Sequence, residues 1–81
     1  MKVSVEISYY PLKEEFKAPV KAFIADLKKE DKITVKPNSM STHVFGEYED
    51  VMYALTRCIK EAFELPNSIF TLKIMNLDRD K

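Results

Sequence analysis

The 81 residues suffice for one domain around a single core and exclude a two-domain enzyme, since independent cores usually need about 50 to 200 residues. Hydrophobic residues make up 46% of the chain and charged residues 32%, a balance that folds instead of remaining disordered. The 13 basic and 13 acidic side chains cancel to a formal charge of +0, so neither nucleic acid nor an anionic membrane is expected as a partner.

One cysteine, Cys58, and one histidine, His43, can supply neither a disulfide framework nor the four ligands of a structural zinc site. No metal or cofactor is expected, and the reducing cytoplasm is the expected compartment. The amino-terminal Met1-Lys2-Val3-Ser4-Val5-Glu6 alternates and carries no apolar core of a secretion signal. Apolar runs are a few residues long, far below the roughly 20 that span a bilayer. The single glycine, Gly46, rules out the Rossmann and P-loop fingerprints, each of which needs at least two glycines.

From Val3 to Tyr9, apolar residues at 3, 5, 7 and 9 alternate with Ser4, Glu6 and Ser8, which predicts a strand buried on one face that fades near Tyr10-Pro11. Phe16, Val20, Phe23, Ile24 and Leu27 recur at helical spacing. Pro19 fits that helix only in its first turn, so the helix is placed from about Ala18. Lys32–Lys36 is a short β-branched edge strand stopped by Pro37-Asn38, and Ser41–Tyr48 is the third strand, with Gly46 marking a bulge or a close approach of backbone. Val51, Leu55, Cys58, Ile59, Ala62 and Phe63 give a second helix, with Glu49 and Asp50 at its start and Pro66-Asn67 beyond its end. Ile69–Leu77 is a fourth alternating strand, and 78–81 is expected to be a frayed tail.

The order βαββαβ is the ferredoxin-like α+β plan, a four-stranded antiparallel sheet with two helices on one face, in one domain over 1–81. Val3, Val5, Ile7, Val44, Leu72 and Ile74 are expected to meet the apolar stripes of both helices, Phe63 included. The other face is expected to be bare and to present Ser4, Glu6, Ser8 and Tyr10 with Ser41, His43, Phe45, Thr71, Lys73 and Met75. A carboxylate, hydroxyls, an imidazole and an aromatic ring in one layer suit a flat heterocycle. The plainer alternative is that Glu6 pairs with Lys73 across strands while the serines face water or another copy.

Other uses of this fold lack their residues. The copper-carrier loop needs two cysteines where this chain has Tyr9-Pro11-Leu12 without one, and acylphosphatase chemistry needs an arginine after the first strand, whereas the arginines are Arg57 and Arg79. Glu6 and His43 could serve as an acid and base pair, but no activated nucleophile or metal accompanies them, so no catalytic residue is assigned.

Two segments carry a family likeness: Glu6-Ile7-Ser8-Tyr9-Tyr10-Pro11-Leu12, and Met40-Ser41-Thr42-His43-Val44-Phe45-Gly46-Glu47-Tyr48-Glu49-Asp50-Val51. They resemble the first strand and the third-strand-to-helix passage of the YkoF-related family that binds thiamine and hydroxymethylpyrimidine, and the likeness covers nearly the whole chain. It departs in Pro37-Asn38-Ser39, where the family commonly has Gly-Pro, and in holding one copy of a domain that some members carry twice. The resemblance implies a non-catalytic binder of thiamine or its pyrimidine, serving vitamin transport or salvage. The ligand-binding candidates are Glu6, Ser8, Tyr10, Ser41, Thr42, His43, Phe45 and Glu47. Without a surplus of basic side chains, the unphosphorylated vitamin is the expected ligand. A homodimer or higher oligomer is expected, because a small domain with a bare sheet gains by pairing. The rival reading is a ferredoxin-like regulatory or assembly module for another metabolite or a protein partner.

Overall fold

Alternation in strands and a 3.6-residue stripe in helices sort the side chains into layers before any long-range contact forms. The computed structural model describes residues 1–80. Its elements are β1 (Lys2–Pro11), α1 (Lys17–Leu27), β2 (Thr34–Pro37), β3 (Thr42–Glu47), α2 (Tyr48–Ala62) and β4 (Ser68–Met75). All strand pairs are antiparallel and the sheet order is β2-β3-β1-β4, the ferredoxin-like arrangement. Register pairs Glu6 with His43 on one side and with Lys73 on the other.

Pro19 is the third residue of α1. There its missing donor is one of the first-turn groups that no helix bonds internally, so the helix loses nothing. The Glu15 carboxylate accepts from the free backbone amides of Lys17 and Ala18 at 3.0 and 3.4 Å. β1 pairs with β4 through Pro11, farther than its proline suggests, and the Leu12 amide donates to Asn67 beyond it. Asn67, with φ of 62°, makes the left-handed turn into β4. At Gly46 a Cβ would lie 3.3 Å from methyl groups of Ile33 and Val51, which establishes the close approach.

The core is built from Val3, Val5 and Ile7 of β1, Val44 of β3, Phe23 and Leu27 of α1, and Val51, Ala54, Leu55 and Cys58 of α2. Burying a side chain such as Ile7 stabilises by about 1.5–3 kcal/mol. Arg57 of α2 joins the helices, donating to Asp26 at 3.1 Å and to Glu30 at 3.0 Å.

Two expectations fail here. Leu72 and Ile74 point to the helix side but remain 45% and 43% exposed, and Phe63 is exposed as well. The helices pack mainly on β1, β2 and β3; of β4, Phe70 packs against the rings of Tyr9, Phe23 and Phe63, and the stretch at Leu72 and Ile74 is left at an uncovered rim. The tail is also not frayed as far as Asp80; it folds back as a strap, 76–80, onto the other face, and Lys81 lies outside the described residues. No helix among the described residues is long and apolar enough to cross a membrane.

Candidate functional site

On the face away from the helices, three strands converge on one carboxylate. Glu6 accepts from the Ser41 hydroxyl at 3.0 Å and lies 3.5 Å from His43 Nε2 and 3.4 Å from the Lys73 ammonium. The Ser41 hydrogen bond, with those of Lys73 and His43 and the Lys73 charge, holds its carboxyl below the usual glutamate range, against a small opposing cost of burial. Both Lys73 and the Glu6 side chain remain open to solvent, so a ligand donor can take the place of the lysine. The cross-strand pairing considered from sequence does form, and it leaves the second oxygen of the carboxylate to Ser41 and His43.

Phe45 lies beside this carboxylate, one position down β3 from His43 on the same face. It is no bare plate: it is 8% exposed, with the His43 ring edge-on at 6.1 Å and the Lys36 ammonium above it at 5.7 Å. Lys36 is itself held by Asp80 of the strap. The strap also binds Ser4, whose hydroxyl donates to the Leu77 carbonyl at 2.6 Å and accepts from the Arg79 amide at 2.9 Å. The expectation of a bare sheet is therefore corrected: the chain leaves β4, passes over β1 at Ser4 and reaches β2 at Lys36. Between strap and strands lies a recess of about 790 Å³ lined by Ser4, Glu6, His43, Phe45, Lys73 and Arg79 among others. That volume is within the range of small-molecule sites.

The other candidates are distributed around this recess. Ser41 reaches its edge through the bond to Glu6, while Ser8 donates to the Met40 carbonyl at 3.4 Å, farther along the strand. Tyr10, Ser8, Ser41 and Thr42 line a separate, mostly apolar cleft of about 380 Å³ between the end of β1, the start of α1 and the turn at 38–41. Thr42 pairs with Ile7 in register and is buried on the helix side of the sheet, so it cannot join Glu6 in one layer. Glu47 is at the far end of β3, where it accepts from the Met1 amino group at 3.0 Å. Sequence reasoning missed Lys36, Arg79 and Asp80, because a charged tail carries no periodicity that shows where it docks.

Against known proteins, the family model described as "Thiamine-binding protein" matches residues 5–81. The chain belongs to the thiamine-binding protein family. Membership supports a thiamine-related binding role, in agreement with the likeness read from its two motifs. Solved structures similar to this member include a hypothetical protein of Methanocaldococcus jannascii, 25% identical with a TM-score of 0.82 over 99% of this chain and 84% of that one. A Streptococcus pneumoniae protein is 24% identical, with a TM-score of 0.88 over 98% and 90%. A Thermotoga maritima protein described as a candidate for thiamine biosynthesis or salvage is 19% identical, with a TM-score of 0.85 over 95% and 85%. The latter two likenesses establish the shared fold. No curated protein matches the chain.

Proposed function

We propose that this protein binds thiamine or its hydroxymethylpyrimidine moiety in the recess between the strap and the sheet, without catalysing a reaction on it, in vitamin transport or salvage. The observation that carries the reading is the ionised Glu6 at the floor of a recess, beside the Ser41 hydroxyl, the His43 imidazole and the Phe45 ring, with the Lys73 and Arg79 cations at its rim. An aminopyrimidine needs an acceptor for its amino group and partners for its ring nitrogens, and Glu6, Ser41 and His43 offer both. The exposed Lys73 is the group such an amino group would displace. A cationic thiazolium gains from the same carboxylate and from the ring of Phe45. Ser8, Tyr10, Thr42 and Glu47 have no assigned contact in this reading.

Calorimetric titration with thiamine and, separately, with hydroxymethylpyrimidine tests it. Saturable binding near one ligand per chain is expected, weakened about tenfold or more by Glu6→Gln through loss of a charge-assisted hydrogen bond. Absence of heat with both ligands, in protein shown to be folded by circular dichroism, would remove the reading in favour of a partner-binding module.

A homo-oligomer belongs to the same proposal. The uncovered β4 edge, with Leu72, Ile74 and Phe63 exposed on its helix side, supports pairing with a second copy there. The strap makes the recess face the less available surface. Sedimentation equilibrium of the wild type and of Leu72→Glu checks this: a dimer or larger species is expected for the first and a shift toward monomer for the second.

A further inference from the structure

We propose that Arg79, carried by the strap, recognises an anionic substituent on the ligand, so that the recess prefers a phosphorylated form of the pyrimidine or of thiamine. This deepens the reading of the recess as a thiamine-related site and rests on it.

The strap fixes the backbone of Arg79 beside the recess by three attachments. Ser4 holds the carbonyl of Leu77 and the amide of Arg79, and Lys36 holds the next side chain, Asp80. Asp80 also donates its amide to the Asp78 carboxylate at 3.1 Å, which tightens the bend. Asp78 and Asp80 are thereby occupied within the strap and at Lys36. Arg79 itself lines the recess, and among the described residues its guanidinium makes no ion pair or hydrogen bond. Arg57, the other arginine, is saturated by Asp26 and Glu30.

Counting charges around the recess shows what is missing. Glu6 supplies one negative charge, Lys73 and Arg79 supply two positive ones, and Lys36 is cancelled by Asp80. Among the side chains that line the recess one cation is left over, while the Asp78 carboxylate, bonded to a backbone amide, lies on the strap outside that lining. A ligand that donates its amino group to Glu6 and turns a phosphate toward Arg79 gives the carboxylate a donor and the guanidinium a counter-charge. A guanidinium meets phosphate oxygens through two parallel N–H···O bonds, a geometry that lysine does not reproduce. The strand order assists, because Glu6 and Arg79 border one recess and a ligand with groups at its two ends spans them.

Titration of the wild type with thiamine, thiamine monophosphate, thiamine diphosphate and inorganic phosphate, repeated with Arg79→Gln and Ser4→Ala, tests the proposal. The monophosphate is expected to bind the wild type about tenfold or more tightly than thiamine, as one charge-assisted contact provides, with inorganic phosphate alone binding weakly. Arg79→Gln should bring the ratio of the two affinities toward one, and Ser4→Ala, which frees the strap while keeping the arginine, should lower it as well. Equal binding of thiamine and its monophosphate by the wild type, or a ratio that survives Arg79→Gln, overturns the proposal and leaves the thiamine reading standing. A ratio unchanged by Ser4→Ala overturns the positioning role of the strap. Failure of every thiamine compound to bind the folded protein removes both readings together.

Discussion

β1 and β4 are neighbours with nearly the same alternating pattern, yet they end in different environments. Val3, Val5 and Ile7 are 1–2% exposed, whereas Leu72 and Ile74, directly opposite Ile7 and Val5, are 45% and 43% exposed. Alternation decides which face of a strand is apolar, and the neighbouring elements decide whether anything covers it. β1 has a strand on each side and helices above; β4 has a strand on one side only. The same asymmetry holds on the opposite face, where β1 supplies the floor of the recess and the segment after β4 supplies its cover.

Paired substitutions offer the largest test of this contrast. Ile7→Ala leaves a hole between strands and helices and is expected to cost about 3–4 kcal/mol. Leu72→Ala, on the same face one strand away, is expected to cost about 1 kcal/mol or less in the monomer, since much of that side chain is already in water. Urea unfolding monitored by circular dichroism measures both. Equal losses at high protein concentration that separate on dilution would show that a second copy covers β4.

The elements were largely legible in the sequence because each was written locally. The stripe of α2, the Pro37-Asn38 stop and the Val3–Tyr9 alternation depend on neighbours a few residues apart. Glu6, His43 and Lys73 were also recoverable, since register in this topology sets them side by side. One misplacement has a local cause and the others nonlocal ones. The family motif sets Thr42 beside Ser41 and His43, yet strand alternation alone sends it to the helix side, where Ile7 faces it. The strap is tied by contacts 73 and 75 residues distant along the chain, between Ser4 and Leu77 and between Ser4 and Arg79. No pattern within the tail reveals such a partner. Phe45 looked like an open ring for the same reason: its cover, Lys36, is locked by a residue from the other end of the sequence.

A smaller effect separates core from rim by titration. Burial, with the nearby Asp26 carboxylate, pushes the Cys58 thiol up to about 12, while the Arg57 charge opposes this. The folded state thus keeps the thiol neutral after the unfolded chain, near its ordinary value of 9.0, has begun to ionise. The contribution to stability is whole below about pH 9 and falls as pH rises toward 12, by at most about 1.4 kcal/mol per pH unit. The alkaline limb of the stability profile should be flatter in Cys58→Ala than in the wild type. A thiol reagent at pH 8 should label the native protein no faster than it opens.

The smallest expected effect lies on the recess side, in acid. Glu6 has a depressed pKa from Ser41, Lys73 and His43, so its contribution is present above the ordinary glutamate value of 4.5 and lost as pH falls below it through the folded value. The group is solvent-exposed, so screening keeps the contribution slight, and 0.5 M salt should erase the part due to Lys73 and His43 while sparing the Ser41 hydrogen bond. Comparing acid unfolding of the wild type and Glu6→Gln at low and high salt isolates the two parts. If the difference between the proteins vanishes entirely in salt, Lys73 and His43 hold the carboxylate without help from Ser41. If part of it persists, Ser41 keeps Glu6 ionised and aimed into the recess even when a ligand has displaced the lysine, the condition the binding reading requires.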